Sequence, residues 1–527
     1  MIATLLALFY LAHHALATLA HPFATFTVNS VTDAVDVNVG DGVCATAVNT
    51  CTVRAAIQEA NALAGDDTII LPAGTYTLTL TGANEDTAVT GDLDFTSNIT
   101  LNGAGAATTT INGNWADRVL HITGAFTVHL SGITVTHGNN VGGGIRNDGG
   151  ALTLTDSAIS DNNSGSDSGG ILNSGTLAFI NSTIFDNNAG TSAGGISNSG
   201  DLTITNSTFD SNNAGSDAGG ILNSGTLTIT NSTFSDNNAG DGGGAIFNSG
   251  ALTLGGSTFS TNNASNGGGI YTGGGATTVT TSTFSGNSAW SGGGIYEGGG
   301  FYSDGRIDEG GSATLIATSI FTGNVASTGG GVFTQFDVTI ANSTFAGNDA
   351  SEGNDTYTGS GTLDIINSTI FGYISDPDRA GVTGNGRAGG GGSGSGIVNN
   401  GGTVTLQNSI VASHEDGGNC VGVINNGGHN LDDGATCGWG SANGSMSNTA
   451  PLLGGLSGSP AYFPLEVGSP AIDAADNAIC AAAPVSNSSQ NGITRPADGD
   501  GNGTATCDIG AFERSSGFSV YLPYVVK

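Results

Sequence analysis

The residues best suited to chemistry in this 527-residue chain are acids set among glycines. Asp498-Gly499-Asp500-Gly501-Asn502-Gly503 alternates side-chain oxygens with glycine and so imitates the first half of a calcium loop, with Asp508 at the eleventh position. The twelfth-position Glu is missing. That excludes a complete EF-hand and leaves either a looser Ca2+ site on Asp498, Asp500, Asn502 and Asp508 with backbone oxygens, or a solvated acidic turn. A second candidate is Asp161 with Asp186, equivalent places one repeat apart, with Asp236 two repeats further on. Stacking would hold the first two about 5 Å apart, which resembles the carboxylate separation of a retaining glycosidase. Exposure beside a corner should leave their pKa values ordinary, with no raised acid for a leaving group, so solvated acids or a Ca2+ bridge is the reading adopted.

Polysaccharide cleavage would need other groups. Clustered Asp with Gly-His-Gly and Arg-x-Lys motifs does not occur in the chain. Proton abstraction beside a uronate carboxylate calls for a base and a neutralising cation, and the repeats offer only Arg118, Arg146, Arg306, Arg379 and Arg387. His121, His129 and His137 read as packing or surface residues. Two segments break the period, and loops on a rigid scaffold often carry binding. Residues 296–311 supply Tyr296, Phe301 and Tyr302 to stack on a sugar face, and Asp304, Arg306, Asp308 and Glu309 to meet its hydroxyls. An inert insertion is the competing reading. Residues 373–396 are mostly glycine and serine, as in a flexible linker.

These groups must be positioned by a scaffold of unusual composition. Nine Lys plus Arg stand against 43 Asp plus Glu, a net charge of −34, and Lys527 is the only lysine. A basic surface that displaces counterions is therefore absent, which excludes nucleic acid and anionic membranes as partners. Glycine is abundant at 91 residues, yet there is no G-X-Y period and only 10 prolines, so the chain is not collagen-like. Disorder is also excluded, because 37% of residues are apolar and recur regularly.

Residues 1–24 open with one apolar run followed by small residues and read as a secretory signal, or else as a buried N-terminal element. No later run reaches the ~18–20 apolar residues of a membrane helix, so the mature chain is expected without a transmembrane helix, as a monomer. Cysteines fall as near neighbours (Cys44 and Cys51, Cys420 and Cys437, Cys480 and Cys507), an even count that suits local disulfides in an oxidising compartment. The absence of any C-x-x-C pair argues against zinc.

Self-comparison is more informative. Ile159, Ile184, Phe209, Phe234, Phe259 and Phe284 are each 25 residues apart, as are Asn162, Asn187, Asn212, Asn237, Asn262 and Asn287. A glycine pair before an apolar residue marks the same place at Ile171, Ile196 and Ile221. A leucine-rich repeat would need Leu at fixed places and often a helix, and a left-handed β-helix would show a hexapeptide period. Three short strands per turn, with Gly and Asn corners that tolerate positive φ, fit instead, giving an all-β right-handed parallel β-helix. Its phenylalanines should stack inside about 4.8 Å apart, and its asparagines should pair along the stack. Residues 53–63 have helical spacing, with Thr52 as cap, and should plug the N-terminal end ahead of the first strand at 68–71. About 13 coils, roughly 60 Å, are expected over 66–412. Residues 413–514, with four of the six cysteines, should close the other end, ahead of a tail at 515–527.

Residues 26–63, which contain Cys51-Thr52-Val53-Arg54-Ala55-Ala56, resemble the CSLREA domain of exported bacterial β-helix proteins, with Ala55 where the family has Glu. Gly468-Ser469-Pro470-Ala471-Ile472-Asp473, Arg495-Pro496 and Cys507-Asp508-Ile509-Gly510-Ala511-Phe512-Glu513 resemble the choice-of-anchor Q domain, which precedes surface-anchoring tails. The Gly243-Gly244-Ala245-Ile246 and Phe209/Asn212 patterns are similar to polymorphic outer membrane protein and autotransporter passenger repeats. These resemblances imply location and a pectate-lyase-like solenoid rather than a reaction. The expectation is a secreted or cell-surface, adhesin-like protein that binds a polysaccharide or cell-surface glycan without catalysis. A passive spacer and a polysaccharide lyase or glycoside hydrolase are the alternatives.

Overall fold

The computed structural model describes residues 23–83, 85–299, 313–372, 394–414 and 417–516. Three long parallel sheets run the length of the molecule. The first has 15 strands, from Thr25–Thr27 to Ile424–Asn426; the second has 13, from Leu93–Phe95 to Cys420–Val421; the third has 15, from Gly74–Thr77 to Met446–Ser447. Each coil contributes one strand to each sheet, and its partners are the equivalent residues one repeat away, as in Leu202↔Leu227 and Phe209↔Phe234. The expected parallel β-helix is the observed architecture.

Alternation within each strand decides what the solenoid encloses. In Asp201–Thr205, Leu202 and Ile204 point inward and are buried while their neighbours face out. Phe209, Phe234, Phe259 and Phe284 form the expected interior ladder, with rings 4.7 to 4.8 Å apart, and it continues through Phe321 to Phe345.

The corners show why Asn and Ser recur. Between the first and third sheets a single residue turns the chain at positive φ (Asn181, Asn206 and Asn231, 49° to 51°), a place that Asn takes with little strain. The next residue is a serine whose hydroxyl accepts the backbone N–H of the equivalent serine one coil earlier, as Ser207 does for Ser182. After the third sheet the same device is built from Asp186, Ser211 or Asp236 at positive φ and then a buried Asn. Asn187 Nδ2 donates to Asn212 Oδ1 at 3.0 Å, Asn212 to Asn237 at 2.9 Å and Asn237 to Asn262 at 3.0 Å. A second ladder, outside the expectation, links Asn147, Asn173, Asn198, Asn223 and Asn248 at 2.7 to 2.8 Å. Buried amides are satisfied by translation along the stack.

The helix forms as expected over Val53–Ala62, with the Thr52 hydroxyl accepting the Ala55 N–H, and its Val53, Ala56, Ile57 and Ala60 join the main core. A strand precedes it, however. Thr25–Thr27 pairs with Asp66–Leu71, so residue 68 does not begin the first sheet. The other end also differs. Strands at Cys420–Val421, Ile424–Asn426, Leu431–Asp432 and Met446–Ser447 carry the three sheets past Ala412, and Cys437 and Trp439 pack into the main core there. Residues 450–516 fold back along the outside of the third sheet instead of closing the end. Ala471, Cys480, Cys507 and Ile509 pack on Ile410, Ala412 and Leu431, the Gly510 N–H reaches the Asn408 carbonyl, and the Ala511 N–H reaches Thr369. The third sheet shows why. Its strand Ile410–Ala412 is buried on both faces, whereas Thr208–Asp210 buries only Phe209. Disulfides join Cys44 to Cys51, Cys420 to Cys437 and Cys480 to Cys507. Among the described residues no helix is long and apolar enough to cross a membrane.

Candidate functional site

Each strand of the second sheet is short enough that its two ends point inward and its middle residue points out. Register aligns these middle residues into one external row: Asp94, His121, Arg146, Leu172, Ser197 and Leu222, then Phe247, Tyr271, Tyr296, Phe333 and Tyr357. Charge occupies one end of the row and aromatic rings the other.

At the charged end the His121 ring sits between carboxylates. Its Nε2 lies 3.2 Å from Asp148 Oδ2, which also accepts from Arg146 Nε at 2.7 Å. Its Nδ1 faces Asp94 Oδ1 at 3.2 Å and Asp86 Oδ1 at 3.5 Å. Burial pulls the imidazolium down, but the Asp94 and Asp148 carboxylates outweigh it and raise the His121 pKa. For Asp148 the balance is reversed: burial raises it, and Arg146 and His121 bring it below the ordinary range. Beneath lies a buried Arg118–Asp92 ion pair. His121, read in the sequence as a packing or surface residue, is buried among carboxylates. A signal was available in the sequence: Leu93-Asp94-Phe95, Leu120-His121-Ile122 and Ile145-Arg146-Asn147 each set one charged or titratable residue between inward residues, in successive coils.

The aromatic end corrects the role expected of Tyr296. Its ring lies 5.0 Å from Tyr271 and 4.8 Å from Phe333, nearly parallel to both, so protein rings occupy the two faces that a sugar would need. Phe301, Tyr302, Asp304, Arg306 and Asp308 lie outside the described residues. Sequence reasoning missed Trp290. It is 59% exposed, at the corner where other coils have Gly165, Gly190, Gly215 and Gly240. Next in this coil, Glu297 is buried and accepts the backbone N–H groups of Phe336 at 2.8 Å and Gln335 at 3.3 Å. Burial pushes its pKa up to about 7 despite those bonds.

Asp161, Asp186 and Asp236 are exposed and turn the corners at φ 53° to 54°. Asp186 departs from the ordinary value expected of it, being raised by partial burial and by the charges of Asp161 and Asp210. The expected metal loop is rearranged. Carboxylate oxygens within 4.8 Å of one another belong to Asp473, Asp498 and Asp500. Asp508 is turned away: its oxygens accept the N–H groups of Asp473 and Arg514, and burial and the nearby Glu513 charge push it up to about 7. The Asn502 side-chain Oδ1 accepts the Thr504 N–H at 2.8 Å, which completes an Asx turn. Asp473 was outside the expected set because it lies 25 residues before Asp498, and the flank fold brings it back.

No family model matches the chain, and no curated protein matches it. Among solved structures it is similar to the catalytic unit of a thermostable GH87 α-1,3-glucanase from Streptomyces thermodiastaticus, at 18% identity over 79% of this chain and 70% of that one, with a TM-score of 0.37. It is also similar to the Agl-KA catalytic domain (15% identity, 77% and 69% covered, TM-score 0.37) and to the pectate lyase Pel9A (14% identity, 94% and 98% covered, TM-score 0.27).

Proposed function

We propose that the protein is an exported, adhesin-like solenoid that binds a polysaccharide or cell-surface glycan at the coil of Trp290, without cleaving it. The observation that carries this reading is an exposed tryptophan at a corner that in earlier coils holds glycine or Ser265, in the coil that also holds the period-breaking segment 296–311. Bonds to Ser265 and Ser327 fix the backbone of this corner, and an indole face is the surface that best complements the C–H face of a sugar. The three disulfides and the strongly acidic surface support an oxidising, extracellular location. So does the resemblance of the two ends to exported surface modules. Ca2+ is assigned to Asp473, Asp498 and Asp500 as a stabiliser of the flank. Chelation should then lower the melting temperature, and an Asp498→Asn variant should be indifferent to chelator.

The test is retention on a panel of plant, microbial and host polysaccharides, with newly formed chain ends recorded in the same samples. Retention that Trp290→Ala abolishes at an unchanged melting temperature is the expected result. Retention by neither protein would leave a passive spacer, and new chain ends would replace the binding reading with an enzyme.

A further inference from the structure

The charged end of the external row holds two buried polar atoms without a hydrogen-bond partner among the described residues. Asp94 is fully buried, and its Oδ2 accepts the Ala88 N–H at 2.7 Å. Its Oδ1 has no hydrogen-bond partner among the described residues. The same holds for Nδ1 of His121, whose side chain is only 7% exposed. These two atoms are 3.2 Å apart, close enough for an ion pair but not aligned as donor and acceptor. Asp86, with a side chain 67% exposed, brings a third ligand atom to 3.5 Å from Nδ1. A buried oxygen and nitrogen that make no aligned hydrogen bond are better satisfied by something that enters between them.

Bond lengths indicate what fits. Two ligands about 2.0–2.1 Å from a tetrahedral ion lie about 3.3–3.4 Å apart, and the observed separations from Nδ1 are 3.2 and 3.5 Å. The other ring nitrogen is also placed as metal-bound histidines place it. Nε2 is held by Asp148, itself fixed by Arg146, so an ion that displaces the Nδ1 proton leaves the other proton on Nε2 and meets the Nδ1 lone pair between the two carboxylates. We propose that Asp86, Asp94 and His121 form a binding site for a zinc-like divalent transition-metal ion, with Asp148 as the positioning residue and the fourth place open to solvent beside Asp86. An imidazole with two carboxylates is a borderline donor set, which favours such an ion over Ca2+. The lack of paired cysteines, which argued against zinc, does not bear on this donor set.

The test is titration of the full mature chain with Zn2+ and with Co2+, counting bound equivalents and following Co2+ absorption. One equivalent is expected at the cluster, weakened at least about tenfold in Asp86→Asn, whose exposed side chain can be changed without disturbing the core. Asp148→Asn should weaken it about 10- to 100-fold. Asp498→Asn, on the opposite flank of the sequence, should leave this equivalent in place. Failure of the wild-type chain to bind either ion, or an equivalent that persists undiminished in Asp86→Asn, would overturn the site and leave a protonated His121 bridging Asp94 and Asp148. Unchanged affinity in Asp148→Asn would overturn its positioning role.

Discussion

Between Ala158 and Ser285 the inward and corner places of the coil repeat Phe, Asn and Ser, whereas from Leu93 to Asn147 one external place holds Asp94, then His121, then Arg146. The difference separates two kinds of polar residue. A repeated Asn or Ser bonds to its own copy in the next coil, and its reason for being there is the backbone of the corner. A polar residue without a copy has no such partner and must be satisfied locally or by something that binds. Repetition marks packing; its failure marks where chemistry is to be sought.

The sharpest way to break this distinction is to truncate the repeated interior. Phe234 is fully buried and stacks on Phe209 at 4.7 Å and on Phe259 at 4.8 Å. Phe234→Ala should cost about 3–5 kcal/mol through the cavity it leaves, measured by denaturant unfolding. A loss below about 1 kcal/mol would mean that the ladder is not the core of this region. The polar ladder comes next. Asn212 Nδ2 donates to Asn237 Oδ1 and to the Ile184 carbonyl, while its Oδ1 accepts from Asn187. Asn212→Ala should cost about 2–3 kcal/mol, because buried partners on both sides lose their bonds. A change within ~0.5 kcal/mol would show that those partners find other bonds, and that repetition of Asn is not a matter of backbone satisfaction.

How much of this was legible follows from the same physics. The period, the Phe209 to Phe284 ladder, the Asn ladder and the Thr52 cap could be read because each is a local pattern copied at fixed spacing. His121 and Trp290 could not be read that way, since neither is copied in the coils beside it and its meaning depends on which residues stand at equivalent places there. Asp473 was missed, and Asp508 was placed in the metal loop, for a related reason. Residues 450–516 have no period, so nothing in the spacing shows that the segment lies along the third sheet, with Asp508 turned inward toward Arg495 and Glu513.

Glu297 offers the finest comparison, because it stands within a repeated row and departs from it. The row reads Asn147, Asn173, Asn198, Asn223, Asn248, Thr272 and then Glu297, the one acid among amides and hydroxyls. Burial raises its pKa from 4.5 to about 7 in the folded chain. The folded state therefore keeps a proton that the unfolded state releases above pH ~4.5, so this stabilising contribution is full below that pH and is lost as pH rises toward about 7. Glu297→Gln, which returns an amide to the row, should match the wild type at about pH 4 and exceed it by roughly 3 kcal/mol at about pH 8. Taking the difference between the two proteins cancels Asp508, which is raised to about 7 and works in the same direction. If unfolding at the two pH values gives one constant difference, Glu297 keeps its charge when buried, and the two backbone N–H groups of Gln335 and Phe336 suffice to hold it.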